Sequence, residues 1–286
     1  MKHFALLGHP VDHSLSPVIH HAAYAALGIQ AEYSLRDCPT PQAVAAALAE
    51  LRSGALSGAN VTVPHKRVAL SLADQADPLA ARAGAANVMV KQGDLLVAYN
   101  TDVLALLSEL SDIPRGTALV VGNGGAALGA LTALGELGFD RVVISARRFV
   151  GDATGWPDVA QLVRLGAEPV PWASDAWRDA ASTADLLIQA TSAGMSGASS
   201  GDAVSAVVPW DDMPTRAVAY DVVYNPKETP FLRDARGRGL DARGGLGMLV
   251  GQAAAALELW LDVDAPRSAM LAAAERGIMQ RGGGDG

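Results

Sequence analysis

Cysteine is almost missing from this chain: Cys38 is the only one in 286 residues. An intrachain disulfide is therefore excluded, and Cys38 reads as a small core residue. Aromatic residues are also scarce, at 5%, although half of the chain is apolar. Its cores must then be built from alanine, leucine and valine, as in an α/β protein. Positive charge is in deficit, with 22 basic against 30 acidic residues and a net charge of −8, which argues against a nucleic-acid surface. No apolar run approaches the ~20 residues of a membrane-spanning helix. The N-terminus lacks a signal-peptide pattern, so a cytoplasmic protein without membrane partners is expected. His9, His13, His20 and His21 cluster in sequence. Without cysteines or a matching acidic cluster they make only a minor case for a metal site, and no metal is expected.

Glycine, by contrast, is concentrated where it carries meaning. The β-branched run Thr117-Ala118-Leu119-Val120-Val121 reads as a buried strand, and leucines at 128, 131, 134 and 137 recur at helical spacing. Between them lies Gly122-Asn123-Gly124-Gly125-Ala126-Ala127, a strand–turn–helix match to the dinucleotide fingerprint with alanine in the last place. Its glycines let the backbone turn tightly and approach a pyrophosphate, which the free N–H groups of the helix N-terminus then receive. A packing turn without a ligand is the plainer alternative, and the flanking strand and helix weigh against it. The next strand, Arg141 to Ser145, ends in Ser145-Ala146-Arg147-Arg148 with no carboxylate for a ribose diol. Two guanidiniums suit a 2′-phosphate, so NADP is the expected cofactor, with a basic solvated turn as the alternative.

The length predicts two compact units. The first opens with a strand over Phe4–Gly8 and then His13-Ser14-Leu15-Ser16-Pro17, with a helix from Val18 to Leu27. Ser16 is placed as an N-cap ahead of Pro17; alternatively, both hydroxyls and the helix end receive an anionic group such as a carboxylate. A strand over 32–36, a helix over 42–52, and the strand and turn Gly58-Ala59-Asn60-Val61-Thr62-Val63-Pro64-His65-Lys66 follow. Asn60, Thr62 and Lys66 gather at a strand's C-terminal end, where open α/β sheets bind ligands; otherwise Lys66 is a solvated lysine. A strand over 84–90 pairs as a hairpin with 95–99, which delivers Asn100-Thr101-Asp102 to a helix over 103–110. Asp102 alone could be a helix N-terminal carboxylate and nothing more. Later come strands over 185–189 and 217–224, a glycine- and serine-rich loop over 197–202, and helices over 228–236, 246–260 and 265–279. Met248 and Trp260 read as core residues, and the tail from Arg281 to Gly286 is expected to be disordered.

Taken in order, several stretches form one pattern: His13–Pro17, Asn60–Lys66, Gly84-Ala85-Ala86-Asn87, Asn100-Thr101-Asp102, the glycine loop, Ala190-Thr191-Ser192-Ala193-Gly194-Met195, Asp221–Pro226 and Gly247–Gln252. Spread over nearly the whole chain, this set resembles the shikimate dehydrogenases. The resemblance implies reversible NADPH-dependent reduction of 3-dehydroshikimate to shikimate, in aromatic amino-acid biosynthesis. It implies an α/β protein of two domains facing each other across a cleft. The substrate domain, with a mainly parallel sheet, would take residues 1–103 and 240–286, and a Rossmann-like NADP domain residues 104–239. Ser14, Ser16 and Tyr224 would hold the substrate carboxylate, with Thr62, Lys66, Asn87, Asp102 and Gln252 around its ring hydroxyls. Lys66 and Asp102 match the family's catalytic pair. On the cofactor side stand Gly122 to Ala127, Ser145, Ala146, Arg147, Arg148, Thr191, Met195, Val222, Gly245 and Met248, with Met195 at the nicotinamide end. The chain departs from the family at His21, Val103 and Gln189, and at Ala146-Arg147-Arg148, where Asn-Arg-Thr is common; strictness toward NADP stays open on that account. The partners implied are the small-molecule substrate and, at most, a second copy of the chain.

Two other readings remain. One is a quinate/shikimate or aminoshikimate dehydrogenase on the same scaffold, with a different substrate or a preference for NAD. The other is a nucleotide-binding regulatory module without activity, which the Lys66–Asp102 pair argues against.

Overall fold

The computed structural model describes residues 1–151 and 153–282. The chain divides into two compact units, residues 1–105 with 247–286 and residues 106–246.

The first unit contains β1 (Lys2–Gly8), α1 (Ser16–Leu27), β2 (Ala31–Asp37), α2 (Pro41–Ser53), β3 (Gly58–Val61), α3 (Lys66–Leu72), β4 (Gln75–Ala76), α4 (Pro78–Ala83), β5 (Val88–Gln92) and β6 (Leu95–Tyr99). Helix α5 (Thr101–Glu109) carries the chain out of this unit. Local signals place the helix ends. Thr40 and Asp77 accept first-turn N–H groups of α2 and α4, each followed by a proline, and Gly54 and Gly84 close these helices in the left-handed conformation. The sheet runs β2-β1-β3-β5-β6-β4. Only β5 opposes its neighbours, pairing antiparallel with β3 and β6; the other pairs are parallel. One core of small side chains, among them Ala5, Val44, Leu51, Ala59, Met89 and Ala98, fills the space under α2.

The second unit is β7 (Thr117–Val121), α6 (Gly125–Leu137), β8 (Arg141–Ser145), α7 (Val159–Arg164), β9 (Ala167–Pro169), α8 (Asp175–Ala181), β10 (Ala184–Gln189), α9 (Asp202–Ser205), β11 (Val218–Asp221), α10 (Pro230–Gly237) and β12 (Asp241–Gly244). Its sheet is parallel throughout, ordered β12-β11-β10-β7-β8-β9. Numbered from β7 this is 3-2-1-4-5-6, the doubly wound dinucleotide-binding order. Helices α11 (Leu246–Leu261) and α12 (Arg267–Gly282) then return to the first unit, where α12 packs on α1.

Four expectations need correction. Ser16 is not an N-cap: α1 begins at Ser16, Leu15 holds the cap position, and the Ser16 N–H donates instead to Ser14 Oγ. The strand expected to run to Tyr224 stops at Asp221, because the Asp221 carboxylate takes the Val223 N–H and the Thr229 hydroxyl and turns the chain. Residues 104–105, assigned from the sequence to the NADP domain, lie in the first unit, and residues 240–246, assigned to the substrate domain, lie in the second because β12 pairs with β11. Its residues Asp-Ala-Arg-Gly lack the apolar run by which strands were recognised. Finally, Arg281 and Gly282 belong to α12 rather than to a disordered tail; residues 283–286 lie outside the described residues. Among the described residues, no helix is long and apolar enough to cross a membrane.

Two stability predictions follow from these contacts. The Trp260 ring of α11 stacks on Phe4 at 4.8 Å, and its Nε1 donates to the Met89 carbonyl, pinning α11 to the first sheet. Trp260→Ala should cost about 3 kcal/mol in urea unfolding, and Trp260→Phe, which keeps the stack, much less. Burial pushes the Asp221 carboxyl up to about 6, against the pull of its bonds to Thr229 and Val223. The folded state therefore keeps a proton that the unfolded chain, titrating near 3.8, has released. This stabilising contribution is full below pH 3.8 and is lost as pH rises through about 6. The melting temperature of the parent protein relative to Asp221→Asn should accordingly fall between pH 4 and pH 7; a constant difference would show that the carboxyl titrates normally.

Candidate active site

In the first sheet the C-terminal ends of β3 and β6 and the N-terminal end of β5 lie along one edge, because β5 runs antiparallel to both. Register fixes the alignment: the Val61 N–H donates to the Asn87 carbonyl, and the Asn87 N–H donates to the Tyr99 carbonyl. Three separated stretches thereby deliver Thr62 and Lys66, Asn87, and Thr101 with Asp102 to the same place.

There Lys66 Nζ donates to Asp102 Oδ2 in a short ion pair. The two side chains are 14% and 8% exposed, so the pair is largely desolvated. Asn87 Nδ2 donates to Asp102 Oδ1 at 3.0 Å, to Thr101 Oγ1 at 3.0 Å and, at 3.5 Å, to Gln252 Oε1. Asn87 Oδ1 accepts the Thr101 N–H at 2.7 Å, which fixes which end of the amide faces Asp102. Gln252, on α11, donates to the Leu249 carbonyl. Thr62 is half-buried at the end of β3, its N–H on the Leu7 carbonyl. Lys66, Asn87, Asp102 and Gln252 thus form one polar cluster.

The serine stretch belongs to the same unit. Ser14 Oγ donates to Ser16 Oγ at 3.1 Å, and the Ser16 side chain hydrogen-bonds Tyr33. Tyr33 donates its hydroxyl to Asn60 Oδ1 at 2.6 Å, and Asn60 Nδ2 donates to the Asn87 carbonyl. A buried polar chain therefore runs from the serines through Tyr33 and Asn60 to Asn87. Sequence reasoning named Asn60 without a partner and missed Tyr33, whose only signal was a lone phenol in a strand next to β1. Burial holds the Tyr33 phenol well above its usual range, so it is a donor at neutral pH.

The histidine cluster separates. His20 is fully buried and stacked on Tyr33 at 4.3 Å, and burial, reinforced by His21, lowers its pKa to about 3. The His21 ring accepts the Tyr33 N–H, while His9 pairs with Asp37. Among the described residues, no group of three or more histidine, cysteine or acidic side chains is placed to hold a metal.

The second unit carries the residues assigned to the cofactor except Met248. Gly122 has φ +114°, and a Cβ there would lie 2.8 Å from the Thr191 methyl and 2.9 Å from the Ala190 carbonyl, so the turn tolerates only glycine. This is the crossing between β7 and β10, where the strand order reverses and doubly wound sheets bind dinucleotides. Gly124 takes the N-cap position of α6 without a side-chain cap, and a Cβ on it would meet open space. Asn123, Gly125 and Ala126 are half-buried along the same turn, and Ala127 is buried in the helix behind it. The Thr191 N–H donates to Gln189 Oε1, and Gln189 Nε2 donates to the Ala193 carbonyl, so glutamine braces this turn from within. Ala146 is buried, and Ser145 spends its hydroxyl on the Val170 carbonyl; at the end of β8 only Arg147 and Arg148 are exposed. Met195 is partly exposed, 39%, beyond the β10 turn. Val222 donates its N–H to the Gln189 carbonyl, and Gly245 is packed so tightly on Val222 that a Cβ would overlap its carbonyl. Tyr224 is half-buried in this second unit, whereas Met248 is buried in α11 of the first.

Known proteins match this arrangement closely. Residues 6–89 match the family model of the shikimate dehydrogenase substrate binding domain, and residues 245–275 that of the shikimate 5'-dehydrogenase C-terminal domain. The chain is 38% identical to the shikimate dehydrogenase (NADP(+)) of Symbiobacterium thermophilum over 94% of both chains. It is 41% identical to that of Moorella thermoacetica, over 93% of this chain and 90% of the other. The solved shikimate 5-dehydrogenase of Thermus thermophilus, in complex with NADP(H) and shikimate, superposes with a TM-score of 0.82 at 35% identity, covering 97% of this chain and all 100% of that one. With this fold, this polar cluster and this similarity along its length, the chain belongs to the shikimate dehydrogenase family.

Proposed function

We propose that this chain catalyses the reversible, NADP-dependent interconversion of 3-dehydroshikimate and shikimate in the cytoplasm. The first unit would bind the substrate and the second the cofactor. The observation that carries the reading is the Lys66–Asp102–Asn87 cluster in a chain of this family.

The second unit fits NADP on its own features: a glycine turn braced by Thr191, open space at Gly124, and exposed guanidiniums at Arg147 and Arg148 in place of a carboxylate. NADPH, when bound, supplies the hydride. The remaining work falls to the chain's own residues. As a ketone is reduced, negative charge builds on its oxygen and must be met by a proton. Lys66 Nζ holds that proton and gives it to the new hydroxyl; in the oxidative direction the same atom takes it back. Asp102 keeps the Lys66 side chain in place through Oδ2, while Asn87 holds Oδ1 and stops the carboxylate from rotating. Ser14 and Ser16 offer hydroxyl donors to the substrate carboxylate; Thr62 and Gln252 take ring hydroxyls.

Reduction of NADP with shikimate, followed by nicotinamide absorbance with NAD and quinate in parallel, tests the assignment. Turnover with shikimate and NADP is expected. A preference for quinate or NAD would move the chain to another member activity, and no turnover would leave a binding module. Lys66→Ala and Asp102→Asn should each lower kcat by about two to four orders of magnitude, the usual range for a general acid and its support, with circular dichroism unchanged. Arg147→Ala with Arg148→Ala should raise the KM for NADP about tenfold while leaving that for NAD nearly unchanged. Equal effects on both cofactors would remove the phosphate contact from the account.

A further inference from the structure

We propose that Arg281, in the last turn of α12, is a positioning residue that sets the substrate-carboxylate serines; the inference rests on the reading of Ser14 and Ser16 given above. Its guanidinium reaches back across the sequence and spans two successive main-chain carbonyls. Nη1 donates to the His13 carbonyl and Nη2 to the Ser14 carbonyl, the latter at 3.1 Å. These carbonyls belong to the peptide groups on either side of Ser14, so the planar fork fixes the backbone that aims its side chain.

A second, apolar contact supports the same registration. Gly277, one turn earlier on α12, lies so close to Leu15 that a Cβ would meet Leu15 Cδ2 at 2.8 Å. Leu15 is fully buried and sits between the two serines. The helix thus grips the motif twice, by Leu15 against a bare backbone and by Arg281 on the carbonyls before it. The stretch is also held by the Ser14 N–H on the Val11 carbonyl, the Ser16 N–H on Ser14 Oγ, the bond between the two hydroxyls and the Ser16 bond to Tyr33, but none of these reaches the His13 and Ser14 carbonyls, and Asp12 and His13 are exposed. The fork therefore restrains the two peptide groups around Ser14, and a small rotation at Ser14 would separate the two hydroxyls, now 3.1 Å apart. Arg281 therefore bears on binding of the anionic end of the substrate and not on proton transfer at Lys66.

The experiment compares Arg281→Ala and Arg281→Lys in the full-length protein. For the alanine variant the KM for shikimate should rise about tenfold, the loss of a charge-assisted pair of hydrogen bonds, with kcat, the KM for NADP and the melting temperature unchanged. Lysine keeps the charge but not the fork, so its KM should lie between the two. An unchanged KM for shikimate overturns the proposal, as does a loss of kcat and melting temperature together, which would make the contact merely structural. Should the parent protein not turn over shikimate, the functional reading fails separately. Hydrogen exchange at the Ser14 and Ser16 amides then decides the clamp, faster in Arg281→Ala if it exists and equal to the parent if it does not.

Discussion

The carboxamide of Asn87 is the constraint on which the first unit's chemistry depends. Its oxygen is taken by the Thr101 N–H, so its NH2 faces Asp102, Thr101 and Gln252 and cannot reverse without breaking several bonds. An ammonium–carboxylate pair left to itself in a half-dry site can adopt many arrangements. Here one carboxylate oxygen is claimed by Asn87, and the other is left for Lys66. Proton transfer needs a donor held within a few tenths of an ångström, and a neutral amide supplies that restraint without adding charge.

That arrangement follows from sheet direction. A wholly parallel sheet would put the N-terminal end of the strand after β3 at the far edge. Because β5 is reversed, the residue entering it stands beside the residues leaving β3 and β6. The same main-chain bonds that build the ladder, from Val61 to Asn87 and from Asn87 to Tyr99, therefore also build the site. In the second unit the corresponding constraint is steric. Gly122 and the Ala190–Thr191 turn occupy each other's space at the reversal of strand order, so a side chain at Gly122 would spoil the turn from both sides.

Much of this was legible in the residues. Apolar runs located most strands, and the helices expected over 42–52 and 228–236 fall on α2 and α10. Where reading failed, the cause was physical. Strand β12 is short, polar and at a sheet edge, so it carries no hydrophobic pattern; only its pairing with β11 makes it a strand. Ser16 looked like a cap because caps are local, but the neighbouring Ser14 took its N–H, and the Ser16 side chain went to Tyr33.

Sequence by itself determined the α/β class, the glycine turn between strand and helix, and the polar types at strand ends, because each depends on residues near one another along the chain. Tertiary structure alone decided which of those residues meet. The pairing of Lys66 with Asp102, the chain from Ser16 through Tyr33 and Asn60 to Asn87, and the reach of Arg281 back to His13 and Ser14 all join residues distant along the chain. Such contacts leave no local pattern, since their partners are chosen by strand direction and helix packing rather than by spacing.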